Sequence, residues 1–204
     1  MVMTRGMILA TLKDYANPDT KLSRLVKEGK YFPLGKGLYE TDKSVAPQYL
    51  AGFIYGPSYV SFEFALSHYG LIPERVYTIT SATAYCNKTK YYENYFGHFL
   101  YKNVPAGTFP YGIKYGTKEQ YHYRIACPEK ALCDQLYKIS PVTNMKDMAD
   151  LLFEDLRIDE EDIRNLDFDF FSVVNPFYHC TNIKTLIRFL RKLKKWQLKL
   201  YKKC

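Results

Sequence analysis

Apolar positions recur at helical spacing from the start of the chain, with Met7, Ile8, Leu12 and Tyr15 on one face of residues 5–15. Asn17-Pro18 ends that run, because proline cannot donate its N–H and disfavours helix before it. Pro18 in turn suits the first turn of a second helix over residues 18–29. There Leu22, Leu25 and Val26 form the apolar face, Thr20, Lys21, Ser23, Arg24 and Lys27 the polar one, and Gly29 the stop. The following YFPLGKGLYE sets two short aromatic-aliphatic runs around Gly35-Lys36-Gly37, the pattern of a tight β-hairpin.

Residues 44–150 read as mixed α/β. A short helix is expected over 47–55, and a second in FEFALSHYG, where Phe62, Ala65, Leu66 and Tyr69 share a face before Gly70. Residues 75–84 are β-branched and alternating, hence a strand, and 90–101 and 111–125 add strand candidates. Pro128-Glu129 opens a helix with Ala131, Leu132, Leu136 and Tyr137 on its apolar face. From Asn144 the pattern is helical. It ends in a basic helix over 183–203 in which Ile183, Leu186, Ile187, Leu190, Leu193 and Leu198 repeat at three and four. The fold class that follows is α+β: an N-terminal winged helix-turn-helix (residues 1–43), then a mixed α/β domain (44–204) with a helical, basic C-terminus from about 144.

Aromatic content changes the picture. Twenty Tyr and 13 Phe in 204 residues favour half-buried strands and wet contact surfaces, since a tyrosine buries its ring and keeps a hydroxyl for a partner. The longest uncharged run, between Lys43 and Glu63, holds two Pro and two Gly and is too broken to cross a bilayer. Residues 1–10 lack the apolar stretch and cleavage site of a signal peptide. The five cysteines are odd in number and form no CxxC pair. A cytoplasmic protein without membrane contact is expected. Charge is unevenly spread: residues 1–43 carry +3, 183–204 carry +9, and the middle carries −4, with −8 concentrated in 147–171. Basic ends around an acidic middle point to a polyanion partner or to an internal charge match.

Helix, turn, basic helix, then a hairpin tipped by Lys36 is the order of a winged helix-turn-helix, although two helices precede the hairpin where three are usual. Such a second helix fits the major groove, with Thr20, Lys21, Ser23, Arg24 and Lys27 towards base edges and phosphates. Lys36 at the wing tip would neutralise backbone phosphate. The competing reading is a solvated face followed by a turn. The basic tail reads as a docked helix with an outward positive face, and Lys184, Arg188, Arg191, Lys192 and Lys195 form a second candidate nucleic-acid contact. Its alternatives are a solvated nucleic-acid arm and a helix on an anionic membrane.

Other constellations are weaker. His122, Cys127, Cys133, His179 and Cys180 lack the paired spacing of a zinc site. Glu129, Lys130 and Asp134 suggest a metal-dependent nuclease, but a carboxylate at a helix start is explained by the helix dipole. Asp167 and Asp169 lack the upstream Gly-Ser turn that would make them nucleotidyltransferase acids. No Gly-x-Ser-x-Gly elbow, P-loop or dinucleotide fingerprint is present. No catalytic residue, cofactor or metal is assigned, and no enzyme is expected.

Four segments together resemble the AbiEi antitoxin family of type IV toxin–antitoxin (abortive infection) systems. They are LKDYANPDTKLSRLVKEGKYFPLGKGLYE at 12–40, SYVSFEFALSHYGLIPERVYTITSAT at 58–83, YYENYFGHFLYKNV at 91–104 and IACPEKALCDQLY at 125–137. The resemblance implies an N-terminal winged helix that represses its own operon by binding its promoter as double-stranded DNA. It also implies a C-terminal domain that counteracts a nucleotidyltransferase-like toxin without a stable complex. The alternative is a protein- or RNA-interaction module with a vestigial winged helix and no promoter binding.

Overall fold

The first forty residues gather around a small sheet. The structure is a computed structural model that describes residues 1–84, 86–118 and 121–201, with side chains at all of these except 118 and 195–201. Strand β1 (Val2–Thr4) leads into helix α1 (Arg5–Thr11), which the Thr4 hydroxyl caps by accepting from the Met7 amide. Helix α2 (Pro18–Lys27) begins at Asn17, whose side chain accepts from the Thr20 amide at 3.0 Å. Leu22 and Leu25 of α2 meet Ile8 and Leu12 in a cluster of their own. Strands β2 (Phe32–Gly35) and β3 (Leu38–Glu40) form the expected hairpin, and β3 pairs on its other side with β1. The hairpin turn needs left-handed backbone at three successive positions, with φ of 109° at Gly35, 52° at Lys36 and 71° at Gly37. Glycine tolerates this freely, which accounts for its presence on both sides of Lys36.

Two details differ from expectation here. The first helix ends at Thr11 rather than near Tyr15, because Asn17 must be extended to cap α2. Residues 2–4, which carry no strand pattern of their own, supply a third strand by pairing with β3.

A six-stranded mixed sheet forms the larger part of the chain, in the order β6-β7-β5-β4-β9-β8. Its strands are β4 (Tyr59–Val60), β5 (Ile79–Thr83), β6 (Lys90–Asn94), β7 (Gly97–Asn103), β8 (Ile113–Lys118) and β9 (Tyr121–Ala126). Pairing is antiparallel except for β5 with β7 and β4 with β9. The expected 75–84 strand contracts to β5, since residues 75–78 lie outside the ladder. The 90–101 and 111–125 candidates each resolve into a hairpin.

A short 3-10 turn at Pro47–Tyr49 and helix α3 (Ala51–Ile54) lie beside β9 and β4. Helix α4 (Phe62–His68) and helix α5 (Pro128–Lys138) pack together. Then come α6 (Met145–Asp150), continued by a wider turn over Leu151–Asp155, α7 (Glu160–Asn165), α8 (Phe168–Tyr178) and α9 (Thr181–Tyr201). Helix α5 is the hub, contacting α4, α8 and α9, and every residue from Lys130 to Leu136 is buried. Asn182, at the start of α9, is buried and ties down the segment after α5: its amide donates to the Leu136, Ile139 and Ser140 carbonyls, and its oxygen accepts from the Val142 amide. The architecture is α+β. Among the described residues, no helix is long and apolar enough to cross a membrane.

The small sheet is fastened to the large one. Leu34 of β2, 2% exposed, belongs to the larger core rather than to the N-terminal cluster. Phe32 stacks obliquely on Tyr95, with ring centroids 4.5 Å apart, and meets Phe96 edge-on. Glu40 is fully buried and accepts from the Thr41 and Asp42 amides, the Tyr121 hydroxyl and the terminal ammonium of Met1.

Candidate nucleic-acid interface

The apolar spacing of α2 decides what its polar side can do. With Leu22 and Leu25 buried against α1, Thr20, Ser23, Arg24 and Lys27 are exposed and Lys21 is half-buried. Their roles are not equivalent. The Ser23 hydroxyl donates to the Asp19 carbonyl at 3.0 Å, the Lys21 ammonium lies 4.6 Å from the Tyr15 ring centroid, and Arg24 pairs with Glu28 at 3.2 Å. These exposed contacts are weak enough for phosphate to displace. Arg5 and Asp19 also pair, and both line a shallow groove together with Ser23 and Lys27 of α2 and Pro33 and Tyr39 of the sheet.

Lys36 occupies the hairpin tip as expected, and it is exposed. Its ammonium rests on the larger unit, 4.8 Å from the Tyr55 ring centroid and 5.9 Å from that of Tyr92. The tip is thus parked on aromatic surface, an attraction worth ~0.5–1 kcal/mol at an exposed site. A helix face and a hairpin tip are easily read from spacing, whereas the neighbours of that tip come from distant sequence.

On α9, Ile183, Leu186, Ile187 and Leu190 are buried and Leu193 is half-buried, so the helix docks by the predicted stripe. Lys184, Arg188, Arg191 and Lys192 are exposed on its outer side. The side chains of Lys195 and Leu198 lie outside the described residues. Arg191 and Lys194 both lie over the Phe168 ring, at 5.9 and 4.7 Å from its centroid.

The residues weighed for catalysis have other occupations. Lys130 and Asp134 are both fully buried, one turn apart on α5, with the ammonium 3.0 Å from Oδ1. The Tyr178 hydroxyl, 2.6 Å from the ammonium, donates to the same carboxylate oxygen at 2.5 Å. Oδ2 accepts from the Tyr59 hydroxyl at 3.0 Å and the Ser61 hydroxyl at 2.7 Å. Burial, then the Asp134 charge, pushes the Tyr59 and Tyr178 phenols well up. The carboxylate therefore accepts four protein hydrogen bonds, a closed network joining α5, α8, β4 and the start of α4. The cluster differs from the expected grouping of Lys130 and Asp134 with Glu129, and its Tyr59, Ser61 and Tyr178 come from distant sequence. Its signal was an opposite-charge i,i+4 pair on a helix with apolar residues on nearly every side.

Glu129 does not cap its own helix. Its carboxylate accepts from the Asp167 amide at 3.0 Å, and Asp167 itself caps α8 by accepting from the Asp169 amide. Of the suggested zinc ligands, Cys133 is fully buried while His122 and His179 are exposed. Burial pushes the Cys127 thiol up to about 12 and that of Cys133 well above its ordinary value, so neither is a ready thiolate. Among the described residues, no group of three or more His, Cys, Asp or Glu converges as metal ligands.

Comparison with known protein families and with curated proteins finds no match for this chain. Its functional reading accordingly rests on its own residues and on the segmental resemblance described above.

Proposed function

We propose that this chain is a DNA-binding antitoxin and transcriptional autorepressor of a type IV toxin–antitoxin system, counteracting a nucleotidyltransferase-like toxin. Residues 1–43 would serve as a reduced winged helix-turn-helix and residues 44–204 as the antitoxin-type domain, without enzymatic activity. The observation that carries the reading is the outward face of α2, where Thr20, Ser23, Arg24 and Lys27 are exposed opposite buried Leu22 and Leu25. A helix held from behind by its own small core can enter a major groove with its basic side leading.

The test is binding of the full chain to its own promoter, followed by fluorescence anisotropy across a salt series. Replacing Arg24 and Lys27 by Ala is expected to weaken binding and to flatten the log–log salt dependence by about two, near one per lost phosphate contact. Unchanged affinity and slope would remove α2 from the interface. The parking of Lys36 on Tyr55 and Tyr92 favours a second reading, an interaction module with a vestigial wing. Absence of promoter binding by the intact chain would select it.

A further inference from the structure

Beside the junction of the two units, on the β8–β9 edge of the large sheet, lies an open cleft of about 330 Å³. It is at the small end for ligand pockets, with room for about one nucleotide's base and sugar rather than a long strand. Tyr49, Phe53, Tyr115, Tyr123, His122 and Arg124 give it its chemistry, and its lining contains no carboxylate.

Three features mark it as more than a surface irregularity. Tyr115 is 77% exposed and Phe53 46% exposed, two large rings left facing solvent. Tyr123 is fixed in place, because Gly116 opposite it leaves room for the ring: a Cβ there would fall 2.0 Å from it, on the other side of the strand pair from Tyr115 and Arg124. Tyr123 also meets Tyr49 edge-on at 4.8 Å. Arg124 lies directly across the ladder from Tyr115 and is half-buried. Among the described residues it makes no ion pair, hydrogen bond or ring contact. A half-buried arginine with all five donors unused is poised for a planar or tetrahedral anion.

We infer that this cleft binds a nucleotide of single-stranded RNA, with a base stacked on Tyr115 and its phosphate on Arg124. Aromatic faces accept any base, and a guanidinium beside them accepts the phosphodiester. Gln48 and Tyr49, which also line the cleft, carry an amide and a hydroxyl able to bond a 2′-hydroxyl, the group by which RNA differs from DNA. The α2 face proposed for duplex DNA is separate, so the two sites stand or fall independently.

The experiment uses the full chain with a short fluorescein-labelled single-stranded RNA of mixed sequence, and single-stranded DNA of the same sequence as the comparison. Binding of RNA is expected, weakened about tenfold or more by Tyr115→Ala and again by Arg124→Ala, in line with loss of one stacked base. Both side chains reach solvent, and thermal melting checks that the variants fold. Photocrosslinking of wild-type protein to RNA containing 4-thiouridine gives a readout free of variants, with adducts expected in residues 49–53 or 113–126. No RNA binding, equal binding by the variants, adducts confined elsewhere, or DNA bound as tightly as RNA would each overturn the assignment. Loss of promoter binding alone bears on α2 and leaves this site intact.

Discussion

Asp134 shows how much one buried side chain organises. Its two oxygens hold Lys130, Tyr178, Tyr59 and Ser61, drawn from three stretches of the chain. Replacing it with Ala would strand the Lys130 ammonium in a dry interior, and a loss of about 3–5 kcal/mol in urea unfolding is expected. Removing both charges, as Lys130→Met with Asp134→Leu, is expected to cost less than removing Asp134 alone. Glu40 makes a prediction of another kind. Burial pushes its carboxyl up, but hydrogen bonds from the Met1 ammonium, the Asp42 amide, the Tyr121 hydroxyl and the Thr41 amide outweigh it and bring it below its ordinary 4.5. A folded value below the unfolded one means a stabilisation complete above pH 4.5 and lost as pH falls through the folded value. Glu40→Gln is therefore expected to be less stable than wild type at pH 7, with the gap closing in strong acid, as read from thermal midpoints across pH.

Helices with one apolar face were legible from sequence because the spacing that marks the buried side is local, whatever element covers it. Leu22 and Leu25 of α2, Ala65 and Leu66 of α4, and the Ile183–Leu190 stripe of α9 all turned inward as their spacing demanded. Strands were harder, since pairing is decided far away. Nothing in Val2–Thr4 announces that Glu40 and Leu38 wait across the ladder, and nothing in Ile79–Thr83 names β7 as its parallel neighbour. The buried side of α5 was only half visible, because Lys130 and Asp134 look like a solvated pair until Tyr59 and Tyr178 close over them. The candidate α2 face was legible as chemistry, while the Tyr115–Arg124 cleft depends on a cross-strand register that periodicity does not give. Start signals also carry weight in α2. Asn17→Ala removes the side-chain acceptor for the Thr20 amide and is expected to destabilise the N-terminal unit by about 1 kcal/mol, read by amide exchange over residues 18–27.

Across the molecule, the small unit and the large one are joined by apolar insertion as well as by charge. Leu34 sits in the larger core, and Phe32 leans on Tyr95 and Phe96. Phe32→Ala is expected to loosen the β2–β3 hairpin without unfolding the rest, so that trypsin cuts after Lys36 several times faster while the thermal midpoint moves little. Equal cleavage rates would show that Leu34 and Glu40 hold the hairpin without the ring. The seating of Lys36 on Tyr55 and Tyr92 reaches further. A phosphate that drew the ammonium off those rings would bare two tyrosines of the larger unit. Engagement at the head of the chain would then be announced on its flank, as a newly wetted aromatic face that tyrosine fluorescence can report.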